Sequence, residues 1–278
     1  CGILQRYAQQ RSAEWQCPAR GSEKAKERES ERARKRESER AREREGEKAR
    51  KRESEEAREQ AVAGALRVRV TFATEKNLAY ISVLDLGSIW ERTLRRAGIP
   101  VKYSQGFHPR PKIQFARPLP TGCGGAAEWV DLWLETPHTA AAVRAALVGQ
   151  TPPGLTVLEV HPVAESEPAL QELVVATEYY TLLREVDPDA VKIAVAALLA
   201  AETVMRPQRG RRRHKQYDLR PLVQALAVER DAPAPWTLAL RMHLAALPGA
   251  TGRPDEVLKA LALEDVPYRC TRQRIFLR

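Results

Sequence analysis

The chain has 278 residues, of which 43% are hydrophobic and 29% charged, and its formal net charge at pH 7 is +10. This length allows one large domain or two small ones, and the excess of cations favours an anionic partner. No run approaches the roughly 18–20 apolar residues of a membrane span and no signal peptide is visible, so we expect a cytoplasmic protein.

The first 60 residues are predicted to be an appendage to the fold. Residues 27–58 are four tandem octads, ERESERAR, KRESERAR, EREGEKAR and KRESEEAR, in which no apolar residue is larger than alanine. Such a segment has nothing to bury, so we expect a charged extension that is either a solvated helix or disordered. A coiled coil is disfavoured because apolar a and d positions are missing.

Residues 61–162 are predicted to form a first module. The segment LRVRVTFA (66–73) alternates between apolar and polar residues, which predicts a half-buried strand. A capping box at SVLD (82–85) begins a helix that Gly98 ends. The further elements expected are strands at 111–117, 128–135 and 155–160 and a helix at 139–148.

Residues 178–278 are predicted to repeat this order after a linker at 163–177. Strands are expected at 178–186, 203–206, 237–245 and 268–278, with helices beginning at Asp187-Pro188 and at Pro254. The segment DLRPLVQALAV (218–228) is expected to be helical. Both halves then read βαββαβ, and we predict an α+β protein of two tandem ferredoxin-like modules.

One sheet face of the first module should be cationic and aromatic. Strand alternation places Arg67 and Arg69 opposite the aliphatic side, and Trp129 and Trp133 are expected beside them with Lys112. Cations interleaved with flat rings suit an RNA ligand, which combines stacking bases with phosphates. Alternatively, the second module packs on this face and buries both indoles.

The stretch YSQGFHPRPKIQFARPLPTG (103–122) is predicted to be a stiff, basic loop. Glycine and proline restrict its shape, Tyr103 and Phe107 can stack on bases, and Arg110 and Lys112 can contact phosphates. His108 can donate to phosphate and is a weak candidate for acid–base catalysis. The alternative is a hairpin that plugs the core with Phe107.

A second basic cluster, RPQRGRRRHK, spans 206–215 and is the other predicted nucleic-acid contact, or else a solvated loop. The sequence contains no nucleotide-binding glycine loop, no HExxH and no CxxC, so we expect no metal and no cofactor. The four cysteines, at positions 1, 17, 123 and 270, lack metal or disulfide spacing and are interpreted as bystanders. The predicted contacts in this cluster are Arg209, Arg211, Arg212, Arg213 and Lys215.

Four stretches resemble the radical-SAM-associated family of bacterial proteins: ISVLDL (81–86), RTLRRAGIPVKYSQGFHPRPKIQFARPLPTG (92–122), YDLRPLV (217–223) and RPDEVLKAL (253–261). Members are typically fused to, or encoded beside, a radical SAM protein, often near genes for ribosomal proteins and a ribonuclease. Where the family usually has Ser-His-Leu-Asp, this chain has Val83 in place of the histidine. The positions that the resemblance carries over as site or scaffold are Tyr103, Gly106, Phe107, His108, Pro109, Pro111 and Lys112.

The resemblance implies a radical SAM partner and a role around RNA or ribosome chemistry. Because nothing here resembles CxxxCxxC, the chain itself should not generate radicals. Our leading hypothesis is a non-catalytic RNA-associated accessory module. The alternatives are a metal-independent RNA-processing enzyme that uses His108, and a scaffold that docks a protein on the Trp129 and Trp133 face.

Overall fold

The computed structural model describes residues 65–209 and 214–278. All of them belong to the unit Glu59–Arg278, so the predicted extension 1–60 lies outside the described residues. Among the described residues, no helix combines the length and apolar character needed to cross a bilayer.

The first half of this unit contains every element that the alternation and capping signals predict. Its strands and helices are β1 (Ala65–Thr74), a 3₁₀ helix (Lys76–Tyr80), α1 (Val83–Arg96), β2 (Ile113–Phe115), β3 (Cys123–His138), α2 (Ala140–Leu147) and β4 (Leu155–Pro162). Strand β3 is twice as long as predicted because it extends backwards through the glycines that follow Cys123.

The second half begins with a short helix, α3 (Leu170–Leu173), inside the predicted linker. The last four linker residues, 174–177, form the start of strand β5 instead of a connection. The elements that follow are β5 (Val174–Leu183), α4 (Pro188–Ala200), β6 (Met205–Pro207), β7 (Gln216–Asp218), a 3₁₀ helix (Arg220–Leu222), β8 (Val223–Glu229), β9 (Leu238–Leu247), β10 (Ala250–Thr251), α5 (Pro254–Ala260) and β11 (Tyr268–Leu277).

The prediction that 218–228 is helical is wrong. After a short 3₁₀ turn, residues Val223–Glu229 pair antiparallel with β9 as strand β8. Alanine and leucine favour a helix locally, but the edge of β9 offers unpaired main-chain donors and acceptors that this segment satisfies. Asp218 supports the turn, since its carboxylate accepts hydrogen bonds from the backbone N–H groups of Arg220 and Val204.

Nine strands form one mixed but mostly antiparallel sheet, which gives an α+β fold. The main path runs β10–β9–β5–β11–β3–β1–β4, while β2 pairs with β3 and β8 with β9. The pairing of β11 with β3 is parallel, and the other pairs in this sheet are antiparallel. Within this sheet the first half has the order β4–β1–β3–β2 and the second half the order β11–β5–β9–β8, while β6, which is near the strand predicted at 203–206, pairs with β7 in a separate two-stranded sheet.

Helix α1 shows how the sequence builds the core of the first half. The Ser82 hydroxyl accepts from the Asp85 N–H at 3.2 Å, and the Asp85 carboxylate accepts from the Ser82 N–H at 3.3 Å, as the capping-box signal predicts. The apolar stripe of α1 then buries Trp90, which meets Phe72 of β1 edge to face at 5.1 Å. Gly98 follows the helix with a positive φ of 65°, which favours glycine.

The two halves meet where β3 and β11 run parallel. Cys123 lies opposite Cys270, and Gly124 lies opposite Thr271. Two residues after Cys270 on β11, Arg272 is buried and pairs with the buried carboxylate of Glu128. The pKa of Arg272 is raised, because the charge and hydrogen bonds of Glu128 outweigh the opposing effect of burial. Two of the four cysteines expected to be bystanders, Cys123 and Cys270, thus lie side by side, and both are free and buried, while Cys1 and Cys17 lie outside the described residues.

Candidate nucleic-acid interface

The predicted basic loop is the tip of a closed hairpin. Tyr103 forms an isolated bridge with Pro111. One residue further in, the Ser104 N–H donates to the Arg110 carbonyl at 2.8 Å, and the Arg110 N–H donates to the Ser104 hydroxyl at 3.0 Å. These contacts close the loop at its base and leave residues 105–109 as the tip.

The base of the hairpin is attached to the main sheet. The Lys102 N–H donates to the Trp133 carbonyl at 2.7 Å, and the Lys112 N–H donates to the Lys102 carbonyl at 2.7 Å. Val101 bridges Leu134 of β3. The hairpin 101–113 is therefore an extension of the sheet edge, and its orientation is set by backbone hydrogen bonds.

Residues 103–110, which include the tip of the hairpin, are all exposed. Phe107 is fully exposed, so the alternative that it plugs the core is wrong. Gly106 has a φ of 145°, a backbone conformation that residues with a Cβ rarely adopt. Pro109 and Pro111 restrict the returning strand. The prediction of a stiff loop that displays an aromatic ring agrees with this geometry.

A depression of about 560 Å³ lies beside the hairpin. The exposed side chain of Lys112 places its Nζ 4.4 Å from the ring centroid of Trp133, which is half-buried in the wall of the depression. Arg110 also lines it. Two cations and an indole therefore meet at one concave surface, where phosphate attraction and stacking can act together.

Val83 lines the same depression from the first turn of α1. The family that the sequence resembles usually has a histidine at this position. Valine offers no proton donor or acceptor, so this wall of the depression is apolar in the present chain. Leu84, the next residue, is largely exposed.

Arg67 does not belong to the accessible surface, although it was predicted to contact nucleic acid. Only 1% of the residue is exposed. Its guanidinium donates to Asp131 Oδ2 at 2.7 Å and to the carbonyls of Glu167 and Pro168 at 2.6 and 3.0 Å. We therefore assign Arg67 to the scaffold, where the paired charge compensates for its burial.

Arg69 is also held by structural partners. It donates to Asp131 at 2.8 Å and forms an ion pair with Glu167 at 3.0 Å. Burial alone would lower the pKa of Arg69, but the hydrogen bonds and charges of Asp131 and Glu167 raise it. We exclude Arg69 from the candidate interface for this reason.

The segment between β4 and β5 lies across the predicted RNA-binding face. Its contacts with Arg67 and Arg69 help to remove both arginines from the accessible surface. Its carbonyls bind Arg67, and the Leu170 N–H donates to the side chain of Gln114 at 3.1 Å. Trp129 is half-buried and packs against a buried cluster that includes Ala246 and Ile275 of the second half, so the alternative that both indoles are buried holds only in part. Trp133 is the indole of this face that borders the open depression.

The second basic cluster is described only in part, since Arg211, Arg212 and Arg213 lie outside the described residues. Arg209 pairs with Asp255 and, at 2.8 Å, with the buried carboxylate of Glu256. Burial opposes ionisation of Glu256, but Arg206, Lys259 and Arg209 together lower its pKa. Lys215 is exposed.

His108 is exposed at the hairpin tip. In the part of the chain that the structure describes, it hydrogen-bonds to no carboxylate that could orient its ring. Across residues 65–209 and 214–278, no three His, Cys, Asp or Glu side chains are grouped to hold a metal ion. Nothing in this geometry singles out His108 as a catalytic base, and its role stays a prediction.

A larger cavity that the sequence did not indicate lies where the two halves meet. Its lining includes Tyr80, Trp236, Tyr268 and Arg269. These residues come from three distant parts of the chain and follow no common motif. The pairing of β11 with β3 brings Tyr268 and Arg269 to the first half, and the pairings of β11 with β5 and of β5 with β9 bring Trp236 to the same cavity.

The family described as "Uncharacterized protein conserved in bacteria (DUF2344)" matches residues 67–254, and the chain belongs to this family. The matched range begins in β1 and ends at the first residue of α5, so it includes the hairpin and the depression. A search of curated proteins found no match.

Proposed function

We propose that this protein is a non-catalytic RNA-associated accessory protein that binds single-stranded RNA through the hairpin 101–113 and acts with a radical SAM partner. The observation that carries the proposal is the fully exposed ring of Phe107 at the tip of a hydrogen-bonded hairpin. Arg110 and Lys112 follow it on the returning strand.

An exposed phenylalanine contributes nothing to the core, but its ring offers a face for an unpaired base. Stacking of this kind contributes about 1–3 kcal/mol per base and tolerates any base sequence. Arg110 and Lys112 can hold the phosphates on either side of the stacked nucleotide. Since the base of the hairpin is already ordered, little conformational entropy is lost on binding.

We also propose that each half of the unit is a ferredoxin-like module. The support is the order of elements, which is β1-α1-β2-β3-α2-β4 in the first half and, with the short strands β6, β7 and β10 left out, β5-α4-β8-β9-α5-β11 in the second. Under this proposal both basic segments, 101–113 and 206–215, occupy the same connection, between the first helix and the second strand of their module. The fold alone does not determine function.

The radical SAM partner is proposed from the resemblance of residues 81–122, 217–223 and 253–261 to proteins encoded beside such enzymes. We expect the two proteins to co-purify, and we expect nuclease treatment to weaken the complex if RNA bridges them. Co-purification that resists both nuclease and high salt would instead favour the scaffold alternative.

The RNA proposal is tested by measuring the affinity of the protein for a short unstructured oligoribonucleotide between about 50 and 200 mM salt. Replacing Arg110 or Lys112 with alanine should weaken binding and reduce the slope of log K against log salt by about 0.7 for each cation removed. Phe107→Ala should weaken binding by about 1–3 kcal/mol but leave the slope unchanged.

Lys192→Ala is the matched control, because Lys192 is an exposed cation on α4 outside the hairpin. It should change neither affinity nor slope. An affinity of the wild-type protein that does not vary with salt, or equal effects of the Lys192 and Lys112 variants, would refute the proposal. Intact RNA after prolonged incubation is expected, and cleavage lost in His108→Ala would favour the enzyme alternative.

A further inference from the structure

A second opening in the fold has a volume of about 760 Å³ and lies apart from the hairpin depression. It is bounded by the end of β1, the 3₁₀ helix that follows, and the first residues of β3 and β11. Its volume is in the range of about 300–1,000 Å³ that is typical of small-molecule sites. Gly122, Gly124 and Gly125 line it, so main-chain atoms form part of its wall.

Three aromatic side chains surround this cavity. Tyr80, at the end of the 3₁₀ helix, is 73% exposed, and Tyr268, at the start of β11, is 39% exposed. Trp236, which precedes β9, is half-buried in the lining. Flat rings left open to water at a concave surface are suited to stacking on another planar group.

A guanidinium accompanies the rings. Arg269 places its Cζ 5.7 Å from the ring centroid of Trp236. Among the described residues no carboxylate pairs with Arg269, whereas Arg67, Arg241 and Arg272 all have carboxylate partners. An arginine stacked on an indole and free of an acidic partner is suited to bind a phosphate.

The other ionisable residues in the lining of this cavity include Tyr268 and Glu75. Burial raises the pKa of Tyr268, so its phenol is neutral at physiological pH, and the positive charge of Arg209 opposes the shift. Arg209, which belongs to the second basic cluster, therefore acts electrostatically on Tyr268. Glu75 is the acidic residue in the lining of the cavity.

We infer that this cavity is a nucleotide-binding site, in which the base lies against Tyr80, Tyr268 and Trp236 and the phosphate binds Arg269. The inference does not depend on the proposed function, since a free nucleotide can bind here even if the hairpin binds no RNA. The nucleotide has two possible sources, a free mononucleotide or the terminal residue of an RNA strand.

The surface between the two sites is compatible with the second source. A small cleft shares Thr74 and Ala79 with the cavity and Val83 with the hairpin depression. Tyr80 borders the cavity three residues before Val83. The linings of the two sites are therefore connected through this cleft, whose residues lie between Thr74 and Val83 along this part of the chain.

The test is a calorimetric titration of the full chain with AMP, GMP, CMP and UMP. Adenosine is titrated as the ligand that lacks phosphate. We expect saturable binding of one nucleotide per chain, with AMP bound roughly tenfold or more tightly than adenosine. Arg269→Gln should bind AMP and adenosine with equal affinity. Tyr80→Ala should weaken AMP and adenosine equally, by about fivefold or more.

Tyr80 and Arg269 are exposed, so both variants should keep the wild-type thermal unfolding temperature, which is measured alongside. Phe107→Ala and Arg110→Ala should leave AMP binding unchanged, which separates this site from the hairpin. Competition between AMP and a 5′-phosphorylated oligoribonucleotide distinguishes the sources, because a terminal nucleotide is displaced by AMP only if both use the cavity.

The inference is overturned if none of the four mononucleotides and no 5′-phosphorylated oligoribonucleotide binds saturably. It is equally overturned if Arg269→Gln leaves the AMP to adenosine ratio at its wild-type value. RNA binding that needs Phe107 but is insensitive to AMP and to Arg269→Gln would leave the proposed function standing and remove this site alone.

Discussion

Arg67 and Asp131 form a buried ion pair across strands β1 and β3, with Nη2 of Arg67 2.7 Å from Oδ2 of Asp131. Arg69 binds the other oxygen of the same carboxylate at 2.8 Å. One carboxylate thus compensates two guanidinium groups, and the carbonyls of Glu167 and Pro168 take up further N–H groups of Arg67. The pair fastens the segment after β4 to the sheet.

We expect Asp131→Ala to lower the free energy of unfolding by about 3–5 kcal/mol, because it leaves a buried guanidinium without its counter-ion. Urea denaturation measures the change. Glu165→Ala is the control, since Glu165 pairs with Lys102 at an exposed site and should contribute no more than about 1 kcal/mol. Similar losses in the two variants would show that the buried pair has no special role.

The glycines at the start of β3 should differ in their tolerance of alanine. A Cβ at Gly125 would lie 2.4 Å from Cγ of Glu128, whose carboxylate is held by buried Arg272. Gly125→Ala should therefore displace Glu128 and lower the free energy of unfolding by about 3–5 kcal/mol.

A Cβ at Gly124 would lie 3.1 Å from the Thr74 carbonyl, a contact that a small shift relieves. Gly124→Ala should cost about 1–3 kcal/mol, the usual range for modest overpacking. Thermal and urea unfolding of both variants give the comparison. A greater loss for Gly124→Ala than for Gly125→Ala would contradict the view that Glu128 is fixed in place.

Gly106→Ala tests whether the shape of the hairpin matters for RNA. No atom lies within 4 Å of the added Cβ, so the effect comes from the backbone conformation alone. Holding alanine at this φ costs about 1–3 kcal/mol, and the exposed hairpin should rearrange to avoid that cost. We expect weaker RNA binding with an unchanged unfolding temperature.

Gly149→Ala is the matched control for this variant, because Gly149 also has a positive φ and an empty surrounding but follows helix α2. It should leave the RNA affinity at the wild-type value. If both glycine variants bind RNA as tightly as the wild type, the preformed shape of the hairpin is unimportant for binding.

Glu256 should make the stability of the second half depend on pH. Its pKa is lowered from the ordinary value of 4.5 by Arg206, Lys259 and Arg209. A group whose pKa is depressed on folding stabilises the folded state above its unfolded pKa, and this contribution is lost as pH falls through the folded value.

Glu256→Gln should therefore be less stable than the wild type at pH 7, and the difference should shrink as the pH falls below 4.5. Urea denaturation between pH 7 and pH 3 measures this convergence. Glu172→Gln, at an exposed position in α3, should show no such trend. A constant difference between wild type and Glu256→Gln would mean that the stabilisation does not come from the charge.

Local signals were sufficient for much of the secondary structure. Alternation identified β1, β9 and β11, and the capping box at Ser82 located the start of α1, because these features depend on residues close in sequence. The prediction of a helix at 218–228 was wrong because pairing with β9 stabilises a strand despite the helix-favouring composition of this segment. That pairing depends on a strand edge that the segment itself cannot reveal.

The sequence by itself determined which residues of the hairpin are aromatic, cationic or conformationally restricted, and alternation along β1 placed Arg67 and Arg69 on one face. Only the tertiary structure decided which of these groups meet water. The segment after β4 covers Arg67, while the hairpin leaves Phe107 free. The pairings of β11 with β3 and with β5, and of β5 with β9, bring Tyr80, Trp236 and Arg269 to one cavity, because exposure and proximity depend on contacts between distant parts of the chain.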